Sequence, residues 1–445
     1  MNILFISLGC DKNLSDSEEM LGLLTERGHN IVNSEEEADA IVINTCCFIH
    51  DAKEESVETI LEMAEYKKAG SLMALIVTGC MAQRYKEEII QEIPEVDAVL
   101  GTTSYGDIVK ALDEVLKGKS FQEFRDINEL PAVSASRVLT TGGHFGYLKI
   151  AEGCDKHCTY CIIPSLRGRF RSIPEERLIQ QAEYMASQGV KELILVAQET
   201  TVYGTDIYGK KTLHLLLKKL CGIKGIRWIR VLYCYPEEIY DELIQVMKEE
   251  KKICHYLDLP IQHASDRILK RMGRRTSKEQ LVEIIGKLRR EIPDIILRTT
   301  LITGFPGETE EDHQELMEFV DEMEFDRLGV FTYSAEEGTP AASMDGQIPE
   351  ELKEARRDEL MELQQEISLE KGNERIGQEL LVMIEGKVSG ESAYIGRTYG
   401  DAPNVDGYLF VQTGELLMTG DFAKVRVTGA MEYDLIGELA DEYTE

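Results

Sequence analysis

Three cysteines fall within eight residues, at Cys154, Cys158 and Cys161. A segment this short cannot close a sensible set of disulfides, but it brings three thiolates together as soft metal ligands. A 4Fe-4S cluster held by three cysteines leaves one iron open for a small molecule, whereas structural zinc and electron-transfer clusters normally use four protein ligands. The spacing therefore predicts a cluster with an open iron. The alternative is a zinc site that borrows His157 as its fourth ligand.

Residues 1–120 carry a second group of three cysteines. Apolar runs at 3–8, 40–43, 72–77 and 98–100 alternate with amphipathic stretches, which predicts a doubly wound parallel sheet. Cys10, Cys46 and Cys80 follow the first three runs, at the sheet edge where open α/β folds bind ligands. Each alone is an ordinary buried thiol. Together they predict a second cluster with an open iron, and Cys47, which points away from its neighbour, is expected to be a bystander.

The segment 140–371 indicates an incomplete (β/α)6 barrel in an α/β chain. Each predicted strand is followed by a helical stretch. The six strands are predicted at 147–151, 192–197, 227–233, 256–259, 295–303 and 328–333. The loop with Cys154, Cys158 and Cys161 follows the first strand and therefore lies at the carboxyl face, where such barrels carry their chemistry.

The end of the chain predicts one long helix at 349–371 and then a different architecture. Five short strands broken by glycines over 373–445 favour a small closed antiparallel barrel of the OB-like kind. Such barrels usually bind RNA, but this segment holds fourteen acidic and five basic side chains, and the whole chain has a formal charge of -32. Direct RNA binding is therefore expected to be unlikely and a basic partner is favoured, with plain solubility as the alternative reason for the charge.

The loop sequence, with Tyr160 before its last cysteine, resembles the signature of radical S-adenosylmethionine (SAM) enzymes. The whole chain resembles the methylthiotransferase family, whose motifs are matched at 8–13, 16–18, 44–46, 78–80, 154–161 and 304–308. The resemblance implies three domains, which we assign to 1–120 (methylthiotransferase), 140–371 (radical SAM) and 373–445 (TRAM).

The resemblance also implies cofactors: two 4Fe-4S clusters, SAM, and sulfide or polysulfide as the sulfur source. Cys154, Cys158 and Cys161 would hold the cluster that generates a radical from SAM. Cys10, Cys46 and Cys80 would hold the auxiliary cluster that carries sulfur. Polar residues at strand ends suit the binding of SAM. The candidate SAM contacts are Tyr160, Gln198, Glu199, Gln262 and Arg298.

Other unusual residues have less specific expectations. His263 is interpreted as structural or substrate-facing, and Cys221, Cys234 and Cys254 as packing residues. The basic stretch at 167–171 is expected to bind the SAM carboxylate or ordered water, or to cap the following helix.

Lys12 and Asn13 after the first cysteine, and the segment 262–266, resemble the family branch that methylthiolates an aspartate of ribosomal protein S-twelve. Members that modify tRNA typically have Gln-Met-Asn after that cysteine. Asp11 and Cys47 depart from the branch pattern but are not presumed ligands. The expected partners are this basic protein and an electron donor. The competing functions are a tRNA adenosine methylthiotransferase and a non-enzymatic iron-sulfur or zinc RNA-binding protein.

The chain is expected to be cytoplasmic and to have no membrane partner. Its first residues lack the basic segment and cleavage site of a secretory signal, and no apolar run approaches the roughly 20 residues that a membrane span needs. Iron-sulfur chemistry also requires a reducing environment.

Overall fold

The structure is a computed structural model that describes residues 1–131 and 137–440. Of the sequence predictions, part of the connector after the first domain and the acidic end of the chain, with Asp441, Glu442 and Glu445, lie outside these ranges. In the described part, no helix is long and apolar enough to cross a membrane.

The first 123 residues form a parallel six-stranded sheet with the order β2-β1-β3-β4-β5-β6. Its strands are β1 (Asn2–Ser7), β2 (Asn30–Val32), β3 (Ala40–Thr45), β4 (Ala74–Gly79), β5 (Ala98–Leu100) and β6 (Phe121–Glu123). Its helices are α1 (Asp11–Glu26), α2 (His50–Lys68), α3 (Cys80–Tyr85), α4 (Glu87–Glu92) and α5 (Ile108–Val115). The four predicted strands are confirmed. The short strands β2 and β6 contain no apolar run and were not predicted.

Helices cover both faces of this sheet. Ile41 and Val77 pack on one side with the α2 residue Ile60, whereas Val42 and Ile76 pack on the other side with apolar residues of α1 and α5. Neighbouring residues of one strand thus face opposite cores, as the doubly wound prediction requires. The helix predicted over 83–93 is divided, because Lys86 has a φ of 43° between α3 and α4.

The central segment forms a parallel six-stranded sheet in chain order, β14-β13-β12-β11-β10-β7, which confirms the incomplete barrel. Its strands are β7 (Phe145–Lys149), β10 (Glu192–Val196), β11 (Trp228–Val231), β12 (Ile253–Asp258), β13 (Ile296–Thr303) and β14 (Arg327–Thr332). A two-residue ribbon, β8 (Ala151–Glu152) with β9 (Arg171–Ser172), lies beside it. The helices are α6 (Ile163–Arg167), α7 (Glu175–Ser187), α8 (Thr205–Tyr208), α9 (Leu213–Cys221), α10 (Asp241–Glu249), α11 (Asp266–Arg271), α12 (Lys278–Glu291) and α13 (Glu310–Met323).

After the long helix α14 (Glu350–Asn373), five strands close into the predicted small barrel. They are β15 (Glu379–Lys387), β16 (Ala393–Thr398), β17 (Leu409–Gln412), β18 (Phe422–Ala430) and β19 (Leu435–Leu439). Four of the five pairings are antiparallel, as predicted, but β17 and β19 pair in parallel. The barrel closes through a parallel pair of strands that are not joined by a hairpin. The positions of the strands in the sequence do not show which strands pair in this way.

The small barrel packs against one face of the central sheet. Met383 and Phe422 join the apolar cluster of Tyr147, Trp228 and Tyr256. Beside this cluster, Glu192 is fully buried between two arginines, accepting from Arg230 Nε at 2.8 Å and from Arg397 Nη2 at 2.7 Å. Buried charges of this kind require paired partners. The contact therefore holds the small barrel in a defined position on the sheet.

Candidate active site

The loop that carries Cys154, Cys158 and Cys161 is closed at its base. β8 and β9 pair in antiparallel fashion on either side of it, and the Cys154 amide donates to Gly168 O at 3.1 Å. Gly153 has a φ of +73°, and a Cβ there would lie 2.1 Å from Arg169 O. Only glycine permits this backbone approach. The loop is thus a compact unit that follows the first barrel strand, as predicted.

Neighbouring loops hold the cysteine loop in place. The Thr159 amide donates to Met272 O at 2.9 Å, its hydroxyl donates to Arg271 O at 2.9 Å, and its carbonyl accepts from the Ala341 amide at 2.9 Å. The Lys156 amide lies 3.5 Å from Cys154 Sγ. The contacts of Thr159 thus fix the loop to residues that are more than a hundred positions away in the chain.

Cys10, Cys46 and Cys80 lie at the carboxyl ends of three adjacent parallel strands, β1, β3 and β4. Cys10 is the N-cap of α1 and is exposed, whereas Cys46 and Cys80 are buried. A Cβ at Gly9 would lie 2.6 Å from Cys46 Cβ, and a Cβ at Gly79 would lie 2.5 Å from Thr45 O. The glycines that precede two of the cysteines therefore let the strand ends approach closely.

Asn13 ties this cysteine site together. Its Nδ2 donates to Leu8 O at 3.1 Å and to Thr45 O at 2.9 Å, which joins the ends of β1 and β3. Its Oδ1 lies 3.9 Å from Cys80 Sγ. The resemblance singled out Asn13 as a motif residue, but the sequence did not show that it connects two strand ends and a cysteine.

Both groups of thiols are held in surroundings that disfavour a thiolate without a cation. Burial, and then the neighbouring thiols, raise the pKa of Cys46 to about 12, and burial is the main cause that raises the pKa of Cys154 and Cys161 to about 12. Iron binding would replace these protons with metal charge. Within the described ranges, no three His, Cys, Asp or Glu side chains converge as the ligands of a single metal ion do. The cysteines of an iron-sulfur cluster bind different irons and therefore lie farther apart than the ligands of one ion.

His157 and Cys47, which stand beside proposed ligands in the sequence, lie in different surroundings. The His157 side chain is exposed. Cys47 is buried in the apolar cluster under α2, with a pKa raised to about 12 by burial and by nearby Cys80. The expectation that Cys47 is a bystander stays a prediction.

Three of the candidate SAM contacts offer buried acceptor atoms at the carboxyl edge of the barrel. Gln198 Oε1, Glu199 Oε2 and Gln262 Oε1 have no hydrogen-bond partner among the described residues. Burial raises the pKa of Glu199 to about 7. Buried polar atoms require partners. SAM carries an amino group, ribose hydroxyls and an adenine amine as donors, so these residues fit the cofactor.

Arg298 lies near the start of β13, three residues before Leu301, which bridges to Gln262. Its Nη1 donates to Asp258 Oδ1 at 2.8 Å, and its Nε lies 3.4 Å from Asp406 Oδ1 in the small barrel. Arg298 thus joins two parts of the chain, and its contact with SAM stays a prediction.

The other candidates are placed as follows. Tyr160 packs edge-on against Phe305 at 6.5 Å between ring centroids, behind the cysteine loop. His263 is fully buried, and its Nδ1 accepts from the Ser265 amide at 3.0 Å, in agreement with a structural role. Cys234 and Cys254 are buried apolar residues of the barrel, and Cys221 packs against its core.

The arginines of the basic stretch at 167–171 contact protein groups, and the expected binding of the SAM carboxylate or ordered water stays a prediction. Arg167 turns toward the N-terminal sheet, where its Nη1 donates to Asp16 Oδ2 at 2.7 Å. Arg171 donates to the carbonyls of Arg167 and Arg169, and Arg169 is exposed. Buried Asp16 provides a counter-charge that the sequence pattern did not connect with Arg167.

Sequence reasoning missed two residues beside the loop. Tyr235 OH lies 3.7 Å from Cys158 Sγ, and Arg274 stacks over the Tyr235 ring at 4.3 Å. Arg274 Nε and Nη1 have no hydrogen-bond partner in the part of the chain that the structure describes. Tyr235 lies four residues after β11, which was a signal in the sequence, whereas Arg274 follows α11 and had none.

Comparisons with known proteins extend over the whole chain. Residues 2–101 match the Uncharacterized protein family UPF0004, residues 148–320 the Radical SAM superfamily and residues 376–440 the TRAM domain. A protein of Lachnoclostridium phytofermentans, named ribosomal protein uS12 methylthiotransferase RimO, is 66% identical over 98% of this chain and 99% of its own length. This chain belongs to the RimO family. Members from Pelotomaculum thermopropionicum and Clostridioides difficile, with the same name, are 52% and 50% identical over 97% and 99% of the chain, and 98% and 99% of their own lengths.

Solved structures support the fold of this RimO-family chain. The methyltransferase TsrM of Kitasatospora setae, with cobalamin and a [4Fe-4S] cluster bound, has a TM-score of 0.56 at 12% identity and covers 76% of this chain and 73% of its own. The cobalamin-dependent enzyme OxsB, with SAM bound, has a TM-score of 0.52 at 14% identity, over 81% and 56%. The chain is a radical-SAM methylthiotransferase whose cofactors are SAM and two iron-sulfur clusters, as the sequence predicted.

Proposed function

We propose that this chain adds a methylthio group to the β-carbon of an aspartate in ribosomal protein uS12, the S-twelve protein of the small subunit. The observation that carries the proposal is the 66% identity, over nearly the full length of both chains, to a protein named for this activity. Lys12, two residues after the first cysteine, stands where the Gln-Met-Asn of the tRNA branch has Met, and supports the same substrate.

We assign the cluster ligands in two groups. Cys154, Cys158 and Cys161 would hold the cluster that binds SAM, with Gln198, Glu199 and Gln262 accepting hydrogen bonds from SAM donors. Cys10, Cys46 and Cys80 would hold the auxiliary cluster. Tyr160 would support the cysteine loop from behind through its contact with Phe305.

The substrate bond explains why this chemistry is required. The β-carbon of an aspartate has no proton acidic enough for removal by a side-chain base at neutral pH. With the clusters held by these cysteines, the clusters and SAM would supply a carbon-centred radical and a methylated sulfur species. The protein residues hold these groups in position and exclude water. Sulfide or polysulfide would be the sulfur source, and an external electron donor would supply the reducing equivalents.

The division of labour among the proposed domains follows these assignments. Residues 1–120 would carry the auxiliary cluster, residues 140–371 the SAM site, and residues 373–445 the contact with the protein substrate. We propose a cytoplasmic location without a membrane partner, where ribosomal proteins and a reducing environment are present.

Charge supports a basic protein substrate. In the small barrel, Glu385, Asp401 and Asp406 neutralise arginines of the fold and are not available to a partner. Other acidic residues, such as Glu391 and Glu415, are exposed. A surface of this kind attracts a basic ribosomal protein and repels nucleic-acid phosphates, so we propose that the chain does not bind RNA directly.

The test compares two substrates in the same reaction. Purified enzyme, SAM, reductant and sulfide are incubated with uS12 and with tRNA, and uS12 peptides and tRNA nucleosides are examined by mass spectrometry. We expect a methylthio group on one uS12 aspartate and unmodified adenosines. A methylthiolated adenosine together with unmodified uS12 would transfer the chain to the tRNA branch.

A matched set of charge reversals tests the role of the small barrel. Glu391→Lys with Glu415→Lys should slow uS12 modification at low salt, and the difference should shrink as salt rises, because exposed charges are screened. Glu54→Lys with Glu58→Lys, on the exposed face of α2, makes the same change in net charge elsewhere. Equal slowing by both pairs would contradict docking on the small barrel.

A further inference from the structure

Arg167 lies in the central segment but reaches the N-terminal cysteine site. It ends α6, six residues after Cys161. Its guanidinium is buried, and Nη2 donates to Asn13 Oδ1, the same oxygen that lies 3.9 Å from Cys80 Sγ. A side chain from the loop of one cysteine group is therefore in contact with the surroundings of the other group.

Two carboxylates and a second cation contact one another around Arg167. Its Nη1 donates to Asp16 Oδ2 at 2.7 Å and to Glu152 Oε1 at 3.3 Å, and Lys149 also contacts both carboxylates. All four groups are buried. Two cations balance two carboxylates, so Arg167 can remain charged in the interior. Within this set, Arg167 also faces the cysteines, which brings a positive charge to them.

The geometry brings that charge close to the sulfur of Cys80. Arg167 Nη2 donates to Asn13 Oδ1, and the same oxygen lies 3.9 Å from Cys80 Sγ. Groups that orient and polarise metal ligands from outside the ligand shell commonly set the properties of a metal site, and for iron-sulfur clusters these include the reduction potential.

We propose that Arg167 is a positioning residue for the N-terminal site, and that its positive charge raises the reduction potential of the cluster held by Cys10, Cys46 and Cys80. The inference rests on the proposed cluster ligands. It makes the auxiliary site dependent on the docking of the two domains, because the charge that adjusts it belongs to the other domain. A purely structural Arg167 would bind Asp16 and Glu152 without affecting the cluster.

The test uses full-length protein in which only the N-terminal cluster is present. In the Cys154→Ala, Cys158→Ala, Cys161→Ala background, the reduction potential is measured by redox titration followed by electron paramagnetic resonance. Arg167→Gln should shift the potential to a more negative value, and Arg167→Lys should shift it less. Glu152→Gln removes a negative charge from the other side of Arg167 and should shift the potential in the opposite direction. Arg169→Gln, an exposed change in the same stretch, is the control and should have no effect.

The results separate the inference from the proposed function. If the background protein binds iron but neither Arg167→Gln nor Glu152→Gln changes the potential, the role of Arg167 is overturned and the cluster assignment stands. If the background protein binds no iron, the cluster assignment fails, and the role of Arg167 fails with it. If Arg167→Gln fails to bind iron, the potentials of Arg167→Lys and Glu152→Gln test the inference instead. The inference requires these two variants to shift the potential in opposite directions. It is overturned if neither variant shifts the potential.

Discussion

The two cysteine sites are built in contrasting ways. The barrel site takes Cys154, Cys158 and Cys161 from one loop whose ends are joined by the β8–β9 ribbon. The N-terminal site takes its cysteines from the ends of three strands, 36 and 34 residues apart along the chain. The first is a local structure, and the second exists only when β1, β3 and β4 have paired. The N-terminal site should therefore be the more sensitive to changes elsewhere in the molecule.

The largest expected effect separates the roles of the two sites. Replacing Cys154, Cys158 and Cys161 with alanine should abolish reductive cleavage of SAM and remove about four of about eight irons. The corresponding variant of Cys10, Cys46 and Cys80 should lose a similar amount of iron and all methylthiolation, but should still form 5'-deoxyadenosine. Iron analysis measures the metal content of each variant, and chromatography of the products measures SAM cleavage and methylthiolation. Normal methylthiolation by the second variant would show that its cysteines are structural.

Adding one methyl group tests the backbone of each site. Gly153→Ala and Gly79→Ala should each cost more than about 2 kcal/mol of unfolding free energy, because both glycines have a positive φ and the new Cβ would meet a carbonyl oxygen. Gly153→Ala should impair SAM cleavage, and Gly79→Ala should impair only sulfur transfer. Urea unfolding and the two product assays give the comparison. Gly118→Ala, with a φ of +77° and no atom within 4 Å of the added Cβ, is the control and should cost about 1 kcal/mol.

A buried carboxyl group near the N-terminal site gives a dependence on pH. Burial raises the pKa of Glu19 from 4.5 to about 7, with Tyr105 OH donating to it at 2.7 Å. The folded state thus binds a proton more tightly than the unfolded state, so stability is greatest below pH 4.5 for this group and falls as pH rises toward 7. The loss should be about 3 kcal/mol. Urea unfolding across this pH range should show this fall in the free energy of unfolding. Glu19→Gln should make the free energy of unfolding depend less steeply on pH. An unchanged slope would show that Glu19 is ionised throughout.

The smallest expected effect concerns a contact between the first sheet's helix α3 and the central segment. Arg84 of α3 binds Glu336 Oε2 at 3.0 Å and Glu337 O at 2.8 Å, which ties the N-terminal domain to a loop after β14. Arg84→Met should cost about 1–2 kcal/mol and slow sulfur transfer several-fold, while SAM cleavage stays unchanged. Lys110→Met, which removes an exposed pair with Glu123, is the control. Equal losses in both product assays would show that Arg84 supports the whole fold.

Strand periodicity and the spacing of the cysteines by themselves determined much of the protein. The apolar runs predicted four of six strands in the first sheet and the order of the barrel, because a buried parallel strand needs a continuous apolar segment. The short strands β2 and β6 lack such a segment, and each adds one apolar side chain to a core, Val32 and Phe121, beside its backbone pairing. The spacing of Cys154, Cys158 and Cys161 identified the loop because three ligands within eight residues cannot be far apart.

Only the tertiary structure decided which distant charges meet. Arg167 and Arg298 have similar sequence surroundings to many arginines, yet one contacts Asn13 across a domain boundary and the other contacts Asp406 of the small barrel. A charged residue carries no local pattern that specifies its partner. Its partner is fixed by the docking of whole sheets, which depends on apolar burial and on shape, and a buried charge then persists only where that docking supplies the opposite charge.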